Sequence, residues 1–283
     1  MSRCWSLAVL LPAATFAGPA DGRAQAPDEP SEIRKTAEQI ADSLELELLQ
    51  GDTWVKAKRI DRPLLLYTDD TRGDDRGFLF GWGEKGRPLA VFEIFQKVHL
   101  RGIWTTCICN TSGGTVRAAR SGGPWWLEND SDIAFKDIPS APAVAAESAV
   151  RQRQMKLLAQ SFTAHEVYNP NNTRYDLRRL DRPLYSYSDE ASGILDGGLF
   201  TFANGTNPEI LLFIEARRGK TPGSKPAWQF GVGRSAAAEL HLEYQGKEIY
   251  SAPRGYVVGG RNKAFWSSTL EFTPRVPIPP VDK

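Results

Sequence analysis

A chain of 283 residues is long enough for one large domain or two small ones. Apolar residues make up 41% and charged residues 24%, ordinary proportions for a globular protein. With 35 basic and 34 acidic side chains the formal net charge is +1, which leaves no field to hold a polyanion, so nucleic acid and anionic membrane surfaces are poor partners.

The first 26 residues carry Arg3, an apolar run from Trp5 to Ala14, and then small residues, the order of a secretory signal peptide. Ala17, Ala20 and Ala26 are the cleavage points that this order offers. Cys4 precedes the apolar run, so it is not a lipid-attachment cysteine. No later stretch is apolar for the roughly 18 residues that a membrane helix needs, and a soluble protein without a transmembrane segment is expected after cleavage.

Residues 27–127 read as a first unit. Ile33, Ala37, Ile40, Ala41, Leu44 and Leu48 recur at helical spacing behind Pro30 and Ser31, which suit a helix start. Then "KRIDRPLLLYTDD" opens a strand pattern. Cys107 and Cys109 sit two apart on a predicted strand, facing one way. A bridge between them would be strained, and burial as small apolar side chains is the expected state. Residues 128–142, with "ENDSD" and "IPSAPA", read as a linker.

Residues 143–272 read as a second unit. Met155, Leu158, Ala159 and Phe162 form a helical stripe. "PLYSYSD", "GGLFTFAN", "PEILLFIEAR", "AWQFGVGR" and "AELHLEY" follow as five strand-length runs broken by Gly, Asn-Gly and Pro. With a shift of 120, Arg59, Asp61, Arg62, Pro63, Leu64, Tyr67, Asp69, Gly73, Gly77, Leu79 and Phe80 repeat at Arg179, Asp181, Arg182, Pro183, Leu184, Tyr187, Asp189, Gly193, Gly197, Leu199 and Phe200. Ordinary residue frequencies would give about one or two identities over that span. The expectation is therefore an internal repeat: an α+β fold made by tandem duplication of a helix followed by an antiparallel β-meander. Residues 273–283 are a Pro-rich tail.

The run "MKLLAQSFTAHEVY", then "YDLRRLDRPLYSYSD", "DGGLFTFANGTNPEILLFIEARR" and "WQFGVGR", resembles a family of secreted bacterial proteins of unassigned function. The likeness covers residues 150–235, and the first unit departs from it, with "GWGEKGRPLAVFEIFQKV" in place of "TFANGTNPEILLFIEARR". It implies export to the bacterial envelope or exterior and kinship of fold, and it brings no reaction or cofactor.

Motif chemistry is thin. His99, His165 and His241 are scattered and no Cys-x-x-Cys or His-Glu-x-x-His occurs, so no metal site is expected; His99 and His241 read as solvated strand-end residues. No Gly-x-Ser-x-Gly elbow or phosphate loop is present. "DDTRGDDRG" lacks the order of a calcium loop, and Arg72-Gly73-Asp74 within it reads as a chance adhesion tripeptide in a polar turn. One asymmetry remains. Glu215 aligns on Phe95 and, after a four-residue insertion near "GKTPGSKP", Arg234 aligns on Asn110; Tyr185 and Tyr187 lie on the neighbouring strand. Charges that one unit folds without are candidates for a ligand site, against the plainer reading of a salt bridge at the sheet rim, and with a ligand site Glu215→Gln would leave stability nearly unchanged. The functional expectation is a secreted, non-catalytic binding or interaction protein, its partner a small molecule or an envelope protein, without cofactor. The alternative is a secreted hydrolase with its site in the second unit.

Overall fold

The computed structural model describes residues 31–69, 75–96, 103–168, 172–219, 221, 223–255 and 260–271. The expected signal segment, the Pro-rich tail, His99 and the Arg72-Gly73-Asp74 tripeptide lie outside them.

The first half runs α1 (Ser31–Asp42), β1 (Leu44–Gln50), β2 (Thr53–Ala57), β3 (Leu65–Asp69), β4 (Asp75–Trp82), β5 (Ala90–Gln96), β6 (Ile103–Asn110), β7 (Thr115–Arg120) and β8 (Gly123–Asp130). A short β9 (Lys136–Asp137) follows. The second half runs α2 (Ser148–Gln160), β10 (Phe162–Tyr168), β11 (Thr173–Arg179), β12 (Tyr185–Asp189), β13 (Ile194–Asn204), β14 (Asn207–Arg217), β15 (Ala227–Arg234), β16 (Glu239–Tyr244) and β17 (Lys247–Ala252), and β18 (Phe265–Glu271) ends the described chain.

Among the described residues strand outweighs helix, 56% against 11%, and the strands form three antiparallel sheets, so the α+β expectation is wrong: the described chain is mostly β. The error has a physical source. Ile40, Leu44 and Leu48 are four apart, and an even spacing fits a period of two as well as one of 3.6. Ser43 N bonds back to the Gln39 and Ile40 carbonyls, which ends α1, and "LELELLQ" continues as strand β1 with Leu44 and Leu46 buried. Phe162 likewise begins β10 instead of closing α2. A helix-plus-meander reading therefore misses β1, β2, β10 and β11.

Nor is each unit a single meander. β3 to β6 do form one, in the order β6-β5-β4-β3, but β7 leaves it to pair with β1 in a second sheet, β2-β1-β7-β8. In the second half β12 to β15 are neighbours in turn, and β16 returns to β10 in the order β17-β16-β10-β11. The joint between the two layers falls at Arg179↔Phe202 in the second half and at the isolated bridge Arg59↔Trp82 in the first.

Each half closes on its own core. Leu44, Leu46, Val116 and Trp126 of the outer sheet meet Phe80, Phe92 and Ile108 of the meander, with Ala37, Ile40 and Ala41 of α1 between them. Phe162, Ala164 and Leu240 meet Phe200, Leu212 and Phe230 around Met155, Leu158 and Ala159 of α2. The opposite faces of the two meanders bury Leu79, Val91 and Cys109 against Leu199, Leu211 and Phe213, forming a seam between the halves. Because β13 and β14 are covered on both faces, "EILLFIEA" is apolar almost throughout instead of alternating.

The edge strands cross over. β9, inside the stretch expected to be a linker, pairs with β15. β18, from the far end of the chain, pairs with β6 of the first half along its whole length.

Candidate functional site

The seam holds the candidate residues. Tyr187 lies flat across Gly197, where a Cβ would stand 2.3 Å from its ring; Tyr67 lies across Gly77, where a Cβ would stand 2.0 Å from its ring. Only glycine allows so close an approach. Each ring thereby reaches over one strand to a glutamate on the next. Tyr187 Oη donates to Glu215 Oε1 at 2.8 Å, and Tyr67 Oη donates to Glu93 Oε1 at 2.5 Å. Glu215 and Glu93 are buried, at 0% and 3% exposure. Burial, and then the neighbouring glutamate charge, push both tyrosine hydroxyls well above their usual range, so they remain proton donors at physiological pH.

Glu215 has further partners. Arg217 Nη1 donates to its Oε2 at 3.1 Å, and Arg87 Nε, from the β4–β5 turn of the other half, stands 3.7 Å from Oε1. Arg87 lies over the Phe135 ring at 4.2 Å, and Arg217 also donates to the Ser192 carbonyl. One carboxylate is thus held between two guanidiniums and a tyrosine; Arg217 and Tyr187 hydrogen-bond it, whereas Arg87 Nε and Nη1 are buried without a hydrogen-bond partner among the described residues, so the Arg87 pairing is the weaker one. Tyr185 is half-buried, its ring centroid 6.0 Å from that of Tyr187.

Arg234 is elsewhere. It pairs with Ile210 across β14–β15, whereas Glu215 pairs with Gln229, five residues along. That is about 17 Å at a rise of roughly 3.3 Å per residue, and an odd step places the two on opposite faces. Arg234 donates Nε to the Ala236 carbonyl at 2.9 Å, Nη1 to Pro253 at 3.0 Å and Nη2 to Ala238 at 2.8 Å, and it covers the Phe265 ring. Its donors tie the β15–β16 loop to the segment that follows β17. The structure therefore gathers Tyr185, Tyr187 and Glu215 and sets Arg234 apart.

Sequence reasoning missed Arg87, Arg217, Tyr67 and Glu93. The signal for two of them was present: Tyr67 aligns on Tyr187, and Glu93 is two residues from Phe95, hence on the same face of β5. The first half does not fold without a buried acid; it places the acid one pleat along.

Beside the Glu215–Arg217 pair a cavity of about 540 Å³ opens, walled by Phe135, Glu190, Ser192, Arg217, Arg218 and Gln229. A second, of about 460 Å³, lies by Arg234, Asp132, Lys263 and Trp266. Among the described residues no three His, Cys, Asp or Glu side chains are grouped to hold a metal ion. Cys107 and Cys109 are free thiols and buried, and burial raises both, Cys109 to about 12. A Cβ on Gly233 of β15 would meet the Cys109 sulfur at 3.3 Å across the seam.

His241 differs from expectation. His241 lies within β16, opposite His165 of β10, and the rings stack in parallel at 4.5 Å. His241 Nδ1 bonds Glu248 at 2.7 Å and Nε2 bonds Glu239 at 3.2 Å.

No known protein family, curated protein or solved structure matches the chain. No helix among the described residues is long and apolar enough to cross a membrane.

Proposed function

We propose that the chain is an exported, non-catalytic binding or interaction protein, its two β-rich halves the product of a tandem duplication. The shared strand order and the matched Tyr–Gly packing support the duplication. The resemblance of residues 150–235 and the order of the first 26 residues support export. The observation that carries the non-catalytic reading is the buried Tyr–Glu pair present in both halves. Groups poised for catalysis face a reactant, whereas these hydroxyls and carboxylates are turned onto each other beneath the seam.

A thermal-shift screen of the protein from residue 27 onward, against small polar and amphiphilic metabolites, tests this. A ligand at 100 times its Kd stabilises by about 2.7 kcal/mol. The expected result is a raised melting temperature with the ligand recovered unchanged. Conversion of any ligand to product would replace this reading with the hydrolase one. N-terminal sequencing from the native host tests export, and an intact Met1 on cytosolic protein would end it.

A further inference from the structure

Two clefts lie at corresponding places, one in each half, between the helix and the first meander hairpin. In the second half the cleft has a volume of about 230 Å³ and includes Met155, Pro183, Asp196 and Phe200. It is closed by its own residues: Asp196 accepts from Ser148 Oγ at 3.0 Å and from Arg151 Nε at 2.5 Å. Met155 fills the space over Gly198, its sulfur 2.6 Å from where a Cβ would stand.

In the first half the contents are reversed. Counting back from the first residues of β1 and β10, Ala37 stands where Met155 does, and at the shift of 120 Phe78 stands where Gly198 does. Arg76 replaces Asp196. The cleft, about 250 Å³, has Ile33 of α1 and the cross-strand pair Leu66↔Phe78 as apolar wall. The next pair on that face, Thr68↔Arg76, stands at its rim, together with Arg34. Among the described residues no acidic side chain lines it. Arg34 is tied to Glu38 at 3.0 Å, while Arg76 has no side-chain hydrogen bond or ion pair among the described residues.

An apolar wall ending at a guanidinium that no described side chain engages is the complement of one kind of molecule. We propose that this cleft binds a small amphiphilic carboxylate, with a single aromatic ring or short alkyl chain against Ile33, Leu66 and Phe78 and the carboxylate paired to Arg76. The volume lies just below the range of about 300–1,000 Å³ usual for ligand sites, which limits the ligand to that size. Arginine suits the head group because its planar fork meets a carboxylate through two donors. The inference rests on the binding-protein reading and names its site and ligand class.

Phenylacetate and hexanoate are the probes, with phenylacetamide as the uncharged counterpart of the first, titrated calorimetrically into wild type, Arg76→Gln and Arg182→Gln. Arg182 lines the second cleft and serves as the control. Both carboxylates should bind wild type, phenylacetamide at least about tenfold more weakly, since the charge-assisted pair is lost. Arg76→Gln should weaken the carboxylates by at least the same factor, and Arg182→Gln should not. Melting temperatures of both variants should stay at the wild-type value, which separates lost binding from lost fold. Equal binding to Arg76→Gln, or no binding of either carboxylate, overturns the site. If the metabolite screen still finds a ligand, the binding-protein reading survives that failure; if nothing binds anywhere, both fall.

Discussion

Glu215 is no optional charge. Its carboxylate is fully buried and joins Tyr187, Arg217 and, more distantly, Arg87 of the opposite half. Removing one member of a buried ion pair costs about 3–5 kcal/mol, because the remaining charge is left in a poor solvent. Arg217 is partly exposed and recovers some of that from water, so the lower end applies to Glu215→Gln. A loss of about 3 kcal/mol should lower the melting temperature by roughly 6–12 °C in a chain of this size. Tyr187→Phe leaves the ion pair and removes one hydrogen bond, for a smaller loss of about 1–3 kcal/mol. Thermal unfolding of the two variants checks the order, and a wild-type melting temperature for Glu215→Gln would return the residue to the list of dispensable charges. The cysteines make a second prediction at this scale. With both thiols buried in the seam region and raised by burial, labelling by a thiol reagent should be slow in the folded protein and fast in denaturant. Fast labelling without denaturant would mean that the seam opens.

Among elements, the paired strands β10 and β16 carry a pH dependence that their counterparts lack. In the first half the equivalent cross-strand position, Glu47 opposite Arg117, is an ion pair of 2.7 Å. In the second it is His165 on His241, with Arg174, Asp176, Glu239, Glu243 and Glu248 around them. Burial lowers His165, helped by Arg174 and by His241 itself. Burial also opposes the charge on His241, but the hydrogen bonds to Glu248 and Glu239 outweigh it and the net shift is upward. The signs therefore differ. The raised His241 contributes stability that is fully present below its unfolded value of about 6.5 and is lost as pH rises through its higher folded value. The lowered His165 takes stability away as pH falls from about 6.5 through its folded value. His241→Gln should be destabilising at pH 6 and much less so at pH 8.5, and His165→Gln should gain on wild type at pH 5. Urea denaturation at the three pH values measures this, and parallel curves for wild type and variants would show that the stack does not titrate. Legibility at this scale depended on periodicity. The five runs beginning at "PLYSYSD" emerged as β12 to β16 because glycines, Asn-Gly and prolines bounded them. β1 and β10 hid behind their helices because Leu44, Leu48 and Phe162 continue an i, i+4 series that a strand also permits. Their pairing with β7 and β16 is a long-range choice that local pattern does not encode. The Tyr–Glu contacts were hidden for the same reason, since they join residues 26 and 28 apart in the chain.

For the whole molecule, the two halves are not independent, because each is completed by a strand that lies beyond the other. β9 follows the first half and pads β15 of the second, whereas β18 follows the second half and pads β6 of the first. The exchange is unequal. β9 is two residues long and exposed, while β18 runs the length of β6 and brings Trp266 and Leu270 into the first core. Trp266 also packs on Trp125 with ring centroids 4.8 Å apart. Without β18, the N–H and C=O groups along one side of β6 would lose their partners and present an open edge. The loss of Trp266 alone would cost about 3–5 kcal/mol. A chain ending at Asn262 should therefore melt well below the full protein, and the first half should unfold before the second, splitting one calorimetric transition into two. A synthetic peptide of residues 260–271, added in excess, should bind the exposed β6 edge and move the first transition back up in proportion to the logarithm of its concentration. Trp266→Ala in the full chain gives an independent measure, because it keeps the strand and removes only the anchor. If the shortened chain melts as the full protein does, or if the peptide leaves its first transition unmoved, then β18 rests on the first half without holding it, and the halves are joined by the seam alone.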